Sequence, residues 1–294
     1  MEWRLATDQG PGKSDYVIPF DRLPPRLAES IDNPPERPVA PRPAATIVLL
    51  RDGLEGMEVL LMRRSRTSGF VPGAYVFPGG RVDDADAAPD ALTRLDGLSP
   101  AEAEGRLGLI DAEPPAIAYY LAALREAFEE TGILVAHGAG GAAAPTAYDD
   151  AVVDEARVEV LEDRMTFADA LRRLECRIAG DAIEYIAHWI TPEPEPRRYD
   201  TRFFAARVYG EANPIIDRRE MTDAVWLAPS RALERWASGS LPMIFPTIKT
   251  LEQLARYTDV SEALERIAHE PVPTIMPKLV VTPTGVAMKV DVED

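Results

Sequence analysis

An α/β fold with one mixed central sheet and an extension at each end is what this sequence predicts, on three observations. Short β-type runs alternate with amphipathic helical stretches between residues 44 and 257. The residues before that span are rich in charge and proline, with Pro34, Pro35, Pro38, Pro41 and Pro43 close together. The residues after it carry a helical pattern and then a hairpin pattern. Three regions follow: a Pro-rich extended arm over 1–43, a core domain over 44–257 and a C-terminal extension over 258–294.

Within the core domain, Ala45–Leu50 is a buried-strand run closed by Arg51-Asp52-Gly53, and Met57–Met62 follows it as the second strand of a hairpin. Tyr75-Val76-Phe77 is a third strand, stopped by Pro78-Gly79-Gly80. Ser99 is a good cap ahead of Pro100, so a short helix is expected over Ser99–Leu107. A clearer helix runs from Ala116 to Thr131. Its apolar residues Ile117, Leu121, Leu124 and Phe128 recur every three or four positions, and Gly132 ends it. A strand is expected at Ile133-Leu134-Val135, a mobile Gly/Ala-rich loop over 138–150 and helix over 151–175. Further strands are expected at Ile186–Ile190, Thr201–Val208 and Ala224–Leu227, and helices at Thr247–Tyr257 and Ser261–His269. Lys278–Val281 and Val286–Val290, joined by Pro283-Thr284-Gly285, form the terminal hairpin.

Composition narrows the function. The net charge of −17, from 32 basic and 49 acidic residues, argues against a nucleic-acid partner, whose phosphates are bound chiefly by Lys and Arg. The single cysteine, Cys176, excludes an internal disulfide or multi-cysteine zinc site and is expected to be packed. His137, His188 and His269 are scattered and form no catalytic or zinc pattern. No run reaches the roughly 18 apolar residues of a membrane span, and the N-terminus lacks a secretory pattern, so a cytoplasmic protein without a membrane partner is expected. A phosphate-bearing substrate would be repelled by the mean field of such a chain unless a bound cation or an Arg cluster reversed the sign locally.

Glu126, Glu129 and Glu130 stand at i, i+3 and i+4 on the helix face opposite its apolar stripe, so their carboxylates are expected to converge. The ordinary fate of such a run is a solvated acidic face. Carboxylates grouped in this way are also what Mg²⁺ favours, since it takes oxygen ligands and keeps several waters. Arg125, four residues before Glu129, is placed to hold that carboxylate.

The sequence Arg125-Glu126-Ala127-Phe128-Glu129-Glu130-Thr131-Gly132-Ile133 resembles the second half of the Nudix box at every fixed position. Gly80 and Asp86 resemble its first half, a glycine and then an acid after five residues, with aspartate in place of glutamate. The family places seven residues between that acid and the arginine. Here 38 residues, Ala87–Leu124, intervene, so about 31 are inserted. The cost of closing such a loop grows only logarithmically with length, but spacing no longer says where Asp86 lies. The resemblance implies a Nudix-type α/β/α sandwich and a hydrolase of a nucleoside diphosphate linked to another moiety. It further implies Mg²⁺ or Mn²⁺ held by Glu126, Glu129, Glu130 and Gly80, with Glu126, Glu129 and Arg125 in the catalytic machinery. The family often draws its general base from a later loop, where Glu220 is the chosen candidate and Glu211 the alternative.

Leu60–Ser65, Gly73 and Phe77-Pro78-Gly79-Gly80 resemble in part the coenzyme A signature of CoA diphosphatases, with Met62 and Gly69 departing from it. His188–Pro192, Arg198–Phe204 and Phe245-Pro246-Thr247 resemble the acyl-CoA diphosphatase branch. CoA or acyl-CoA is therefore the expected substrate, with Arg63, Arg64, Ser65, Gly79 and Gly80 binding it. Another nucleotide (NADH, ADP-ribose or a dinucleoside polyphosphate) and a non-catalytic ligand sensor are the alternatives. Arg63, Arg64 and Arg66 form one basic clump and Arg197, Arg198 and Arg202 a second, each with solvation as its bland alternative. Trp189, Phe203 and Phe204 are expected in the core, with an adenine or acyl pocket as their alternative. Many members of the family are dimers, and the arm or the terminal hairpin is a candidate homodimer interface.

Overall fold

The computed structural model describes residues 16–66, 71–137, 150–209, 212–216 and 220–290. The expected loop over 138–150 lies almost wholly outside them, as do Gly69 and Glu211. In chain order the described elements are β1 (Tyr16–Pro19), α1 (Pro25–Asp32), β2 (Arg42–Gly53), β3 (Gly56–Arg64), β4 (Tyr75–Val76) and β5 (Gly79–Arg81). Next come α2 (Pro89–Leu92), β6 (Leu95–Asp96), α3 (Pro100–Leu107), α4 (Ala116–Thr131), β7 (Ala136–His137), α5 (Asp150–Leu161), α6 (Phe167–Arg173) and β8 (Arg177–Ala179). The chain continues through β9 (Ile183–Ile190), β10 (Tyr199–Arg207), β11 (Met221–Leu227), α7 (Pro229–Ala237), α8 (Phe245–Leu254) and α9 (Val260–Ile267). It ends with β12 (Thr274–Ile275), β13 (Lys278–Thr282) and β14 (Gly285–Lys289).

The central sheet runs β11-β3-β2-β10-β9-β12, with β4 paired to β3 and β5 to β2. It is mixed: β10 is parallel to β2 and antiparallel to β9. Side-chain alternation gives it two apolar faces. One, with Ile47, Leu49, Leu60, Met62 and Phe204, packs against α4. The other, with Val48, Leu50, Leu61 and Phe203, packs against residues of α7, α8 and α9 such as Ala232, Leu251 and Val260. The result is the expected α/β/α sandwich.

α4 lies across the strands. Gly80, Ala45, Arg202 and His188 occupy neighbouring register positions on β5, β2, β10 and β9. Two strand spacings put Gly80 and Arg202 about 10 Å apart, about the length of the seven helical steps from Tyr119 to Glu126. Glu126 sits against Gly80, and the Tyr119 ring lies 5.8 Å from the Arg202 guanidinium. One sheet row thus runs beneath α4 from Tyr119 to Glu126.

Three expectations are corrected. The extended arm is partly structured: β1 pairs with β14 of the terminal hairpin, and α1 buries Leu27. Ile133-Leu134-Val135 is not a strand: beside one bond from the Ala179 amide to the Val135 carbonyl, the pairing with β8 lies at Ala136–His137, and the Ile133 amide is tied back to the Thr131 hydroxyl at 3.0 Å. The helix over 151–175 is two helices, broken where Thr166 caps α6. The inserted segment carries the expected helix as α3. It also contains α2 and β6, and β6 pairs with β8 from beyond α4, so two stretches on either side of the box helix form one accessory lobe. Two-residue strands have no periodicity to read in a sequence. Among the described residues no helix is long and apolar enough to cross a membrane.

Candidate active site

The site assembles where α4 crosses β5. α4 ends as expected at Gly132, whose φ of 70° is the left-handed conformation that suits glycine. Asp86, which spacing left unplaced, is buried in a 3-10 turn over Asp84–Ala87 capped by Asp83. It accepts two hydrogen bonds from Arg125, at 2.8 Å from Nε and 3.1 Å from Nη2. The two halves of the box therefore meet despite the insertion. Arg125 Nη2 also donates to the Arg81 carbonyl at 2.9 Å, while Nη1 donates to Glu126 at 3.0 Å and Glu129 at 3.1 Å. Burial alone would lower the pKa of Arg125, but its bonds to Asp86 and the charges of Glu126, Asp86 and Glu129 carry it upward.

The expected convergence of three carboxylates is only partly realised. Glu126 and Glu129 share the Arg125 guanidinium, whereas Glu130 turns to accept the Gly79 amide at 3.2 Å. Among the described residues no three acidic or imidazole groups form a finished metal cage. The reason is geometric: Glu129 and Glu130 are 100° apart around the helix, and each takes the donor nearest its own side. All three carboxyls are nevertheless under electrostatic load. Burial, offset in part by Arg125, raises Glu126 to about 7. Burial also raises Glu129, and burial together with the charge of Glu126 holds Glu130 well above the usual carboxylate range.

The glycines before the helix have distinct jobs. A Cβ at Gly80 would lie 2.2 Å from Glu126 Oε1, so the residue must be glycine for that carboxylate to reach the strand. A Cβ at Gly79 would lie 2.5 Å from the Ala45 carbonyl, which enforces close pairing of β5 with β2. The donor set fits a hard divalent cation. It is all oxygen, it carries more negative charge than Arg125 balances, and the missing Cβ of Gly80 leaves room for the Glu126 carboxylate against β5. An open arrangement of this kind suits an ion that keeps part of its water.

The remaining expected residues divide. Arg64 and Glu220 both act electrostatically on the Glu130 carboxyl, and the Ser65 amide donates to the Glu220 carbonyl at 2.7 Å, so all three border the box. Arg63 does not join them. Alternation along β3 sends it to the opposite face, 5.7 Å from the Tyr75 ring, whose hydroxyl donates to Asp223 at 2.8 Å. The second basic clump is largely structural: Arg198 is buried on the Thr191 and Val39 carbonyls and Arg202 is buried beside His188. Trp189, Phe203 and Phe204 are core residues, not pocket walls, and Cys176 is fully buried.

Sequence reasoning missed two groups. Asp83, 3.7 Å from Arg125, was marked only by its three-residue spacing to Asp86. The second is a buried polar set on the α4 face. His188 Nε2 meets Asp200 at 2.6 Å, Nδ1 meets the Thr274 hydroxyl at 2.8 Å and also accepts from Arg202 Nη1, which donates to the Tyr185 hydroxyl at 3.1 Å. Because Arg202 is a donor only, Nδ1 is the bare nitrogen and Nε2 carries the proton that Asp200 accepts. Nothing in the local sequence signals this set, since the β9–β10 register brings it together.

The chain is similar to several known proteins. The model of the NUDT19 Nudix domain matches residues 40–254. An acyl-coenzyme A diphosphatase NUDT19 from Xenopus laevis is 27% identical over 233 residues, covering 70% of this chain and 61% of that protein. The Gallus gallus protein of the same name is 30% identical, covering 70% and 63%. The matched region therefore spans under two thirds of these relatives. The crystal structure of a Nudix hydrolase from Alicyclobacillus acidocaldarius is 28% identical, covering 79% of this chain and 99% of that one with a TM-score of 0.66.

Proposed function

The chain belongs to the NUDT19 Nudix family, and from that premise we propose that it is a metal-dependent diphosphatase that cleaves CoA or acyl-CoA to 3′,5′-ADP and (acyl-)phosphopantetheine. The observation that carries the proposal is the closed box: Asp86 bound twice to Arg125 across 38 intervening residues, with Glu126 seated on Gly80. A chain that had abandoned the chemistry would have no need to keep both contacts across so long an insertion. The likeness to proteins named acyl-coenzyme A diphosphatase favours CoA over other nucleotides.

Glu126, Glu129 and Glu130 with the Gly80 carbonyl would hold Mg²⁺ or Mn²⁺, which when bound neutralises the diphosphate and activates water. Arg125 orients Glu126 and Glu129 and is itself fixed by Asp86. Arg64, on the box side of β3, is placed for a substrate phosphate, with Ser65 beside it; Gly79 and Gly80 line the same edge. Arg63 is withdrawn from this set, since it faces Tyr75. Glu220 borders the box and is the assigned general base. A small-molecule nucleotide partner, the division of the chain at residues 43 and 257, a cytoplasmic location and a homodimer complete the reading.

The test is turnover with Mg²⁺ of a panel containing CoA, an acyl-CoA, NADH, ADP-ribose and a diadenosine polyphosphate. CoA or acyl-CoA is expected to have the highest kcat/KM. Preference for another member would overturn the substrate, and binding of one without turnover would support a sensor. Glu129→Gln is expected to lower turnover by more than about a hundredfold, beyond what groups that merely orient a ligand cost. Full residual activity would sink the metal site.

A further inference from the structure

Besides apolar packing such as Phe167 of α6 on Phe128, the accessory lobe makes a polar contact with the box through Arg157. This arginine lies on α5 and is buried, with only 5% of its surface exposed. Its Nε and Nη2 both donate to Asp154 Oδ1, at 3.0 and 2.7 Å, one turn earlier on the same helix. That pair fixes the plane of the guanidinium and leaves Nη1 aimed at α4, where it donates to the main-chain carbonyl of Glu129 at 2.9 Å. A buried guanidinium must be hydrogen-bonded to be tolerated. This one uses its free edge on the main chain of a box glutamate.

The last carbonyls of a helix have no partner within it. In α4 the Phe128 carbonyl accepts from the Gly132 amide at 2.8 Å, and the Thr131 carbonyl accepts from the Ile215 amide at 2.7 Å. Arg157 supplies the donor for Glu129, and its positive charge lies at the end of the helix where the macrodipole favours a cation. Glu129 is thus held at two places. Arg157 grips its main chain, and Arg125 grips its carboxylate at 3.1 Å. Without the first grip the terminal turn can fray, and the second then holds a carboxylate whose backbone is free to move.

Largely exposed ion pairs link the elements of the lobe. Arg173 of α6 pairs with Glu155 and Glu159 of α5, and Arg177 of β8 pairs with Asp96 of β6. β6 belongs to the segment inserted into the box, so the insertion is tied through β8 and α6 to the helix that carries Arg157. We infer that Arg157 is a positioning residue for metal binding, and that through it the lobe formed by the insertion braces the helix turn bearing Glu129 and Glu130. This rests on the proposed diphosphatase reading.

The test is Mn²⁺ binding to the full-length protein, followed by the electron paramagnetic resonance signal of free Mn²⁺, beside thermal denaturation and steady-state kinetics. Arg157→Met is expected to raise the Mn²⁺ dissociation constant about tenfold, the lower end of what second-layer groups contribute. The metal concentration for half-maximal turnover should rise in parallel, with KM for CoA at saturating metal unchanged. Arg157→Lys, which keeps the charge but cannot span Asp154 and the Glu129 carbonyl together, should also bind Mn²⁺ more weakly, and it decides the matter if Arg157→Met does not fold. Arg231→Met, an exposed arginine of α7 paired only with Glu234 and outside the lobe, should bind Mn²⁺ as the wild type does. Wild-type Mn²⁺ affinity in a folded Arg157 variant, whatever its melting temperature, would overturn the inference alone. A wild type that binds no Mn²⁺ would overturn the diphosphatase reading as well.

Discussion

Two buried arginines share one face of the central sheet, Arg125 on α4 and Arg202 on β10, and they occupy opposite electrostatic situations. Around Arg125 are Asp86, Asp83, Glu126 and Glu129, with Glu130 just beyond, so one cation faces an acidic surplus. The glutamate carboxyls there are all pushed upward, chiefly by burial. Around Arg202, among the described residues, there is one carboxylate, Asp200, and the His188 imidazole with both nitrogens engaged. Burial would raise Asp200 too, but the hydrogen bond from His188 and the charge of Arg202 outweigh it, so its pKa is lowered. On one face of the same sheet, a buried arginine and its carboxylates make a balanced structural cluster in one place and a frustrated one in the other. The frustration is what a divalent cation would relieve, and it separates the candidate active site from a buried ion pair better than residue identity does.

The largest expected effect tests the frustrated end. Arg125→Met strands Asp86, which is 3% exposed, and should cost about 3–5 kcal/mol by chemical denaturation along with all measurable turnover. A variant that kept its activity would erase the distinction between the two clusters.

The balanced end should yield less. Asp200→Asn is expected to cost about 1–3 kcal/mol at pH 7 while leaving turnover per folded molecule unchanged. Its pH dependence has a fixed sign. A lowered folded-state pKa gives stability that is present above the unfolded carboxylate pKa and lost as pH falls through the folded value. The stability gap between wild type and Asp200→Asn should therefore close in acid; a gap that widened there would refute the pairing.

Smaller still in stability, but sharper in function, is Gly80→Ala. The new Cβ meets only the end of the Glu126 side chain, which can swing away, so stability should change by less than about 1 kcal/mol. Activity should fall by about ten- to a hundredfold, because Glu126 loses its seat. Gly79→Ala is the contrast: it meets the backbone of Ala45 and Thr46 and should lower the melting temperature first.

The same contrast explains what the sequence could and could not disclose. The frustrated cluster was largely legible because Arg125, Glu126, Glu129 and Glu130 lie on one helix, where 3.6-residue periodicity and the stop at Gly132 fix their faces. Asp86 was legible as a residue type but not as a contact, since 38 residues separate it from Arg125. The balanced cluster was invisible: His188 and Arg202 meet only through strand register, and Thr274 arrives on a two-residue strand. Arg63 was grouped with Arg64 by adjacency, although strand alternation alone would have parted them. Arg157 belongs to a lobe whose strands are too short to show a period.

The most direct test of the acidic surplus is the melting temperature of Glu126→Gln with and without Mg²⁺. Removing one charge from an overloaded site should raise stability in metal-free buffer relative to wild type and abolish the Mg²⁺-dependent gain that wild type shows. A variant that is less stable without metal, and that Mg²⁺ stabilises as much as it does the wild type, would contradict the account.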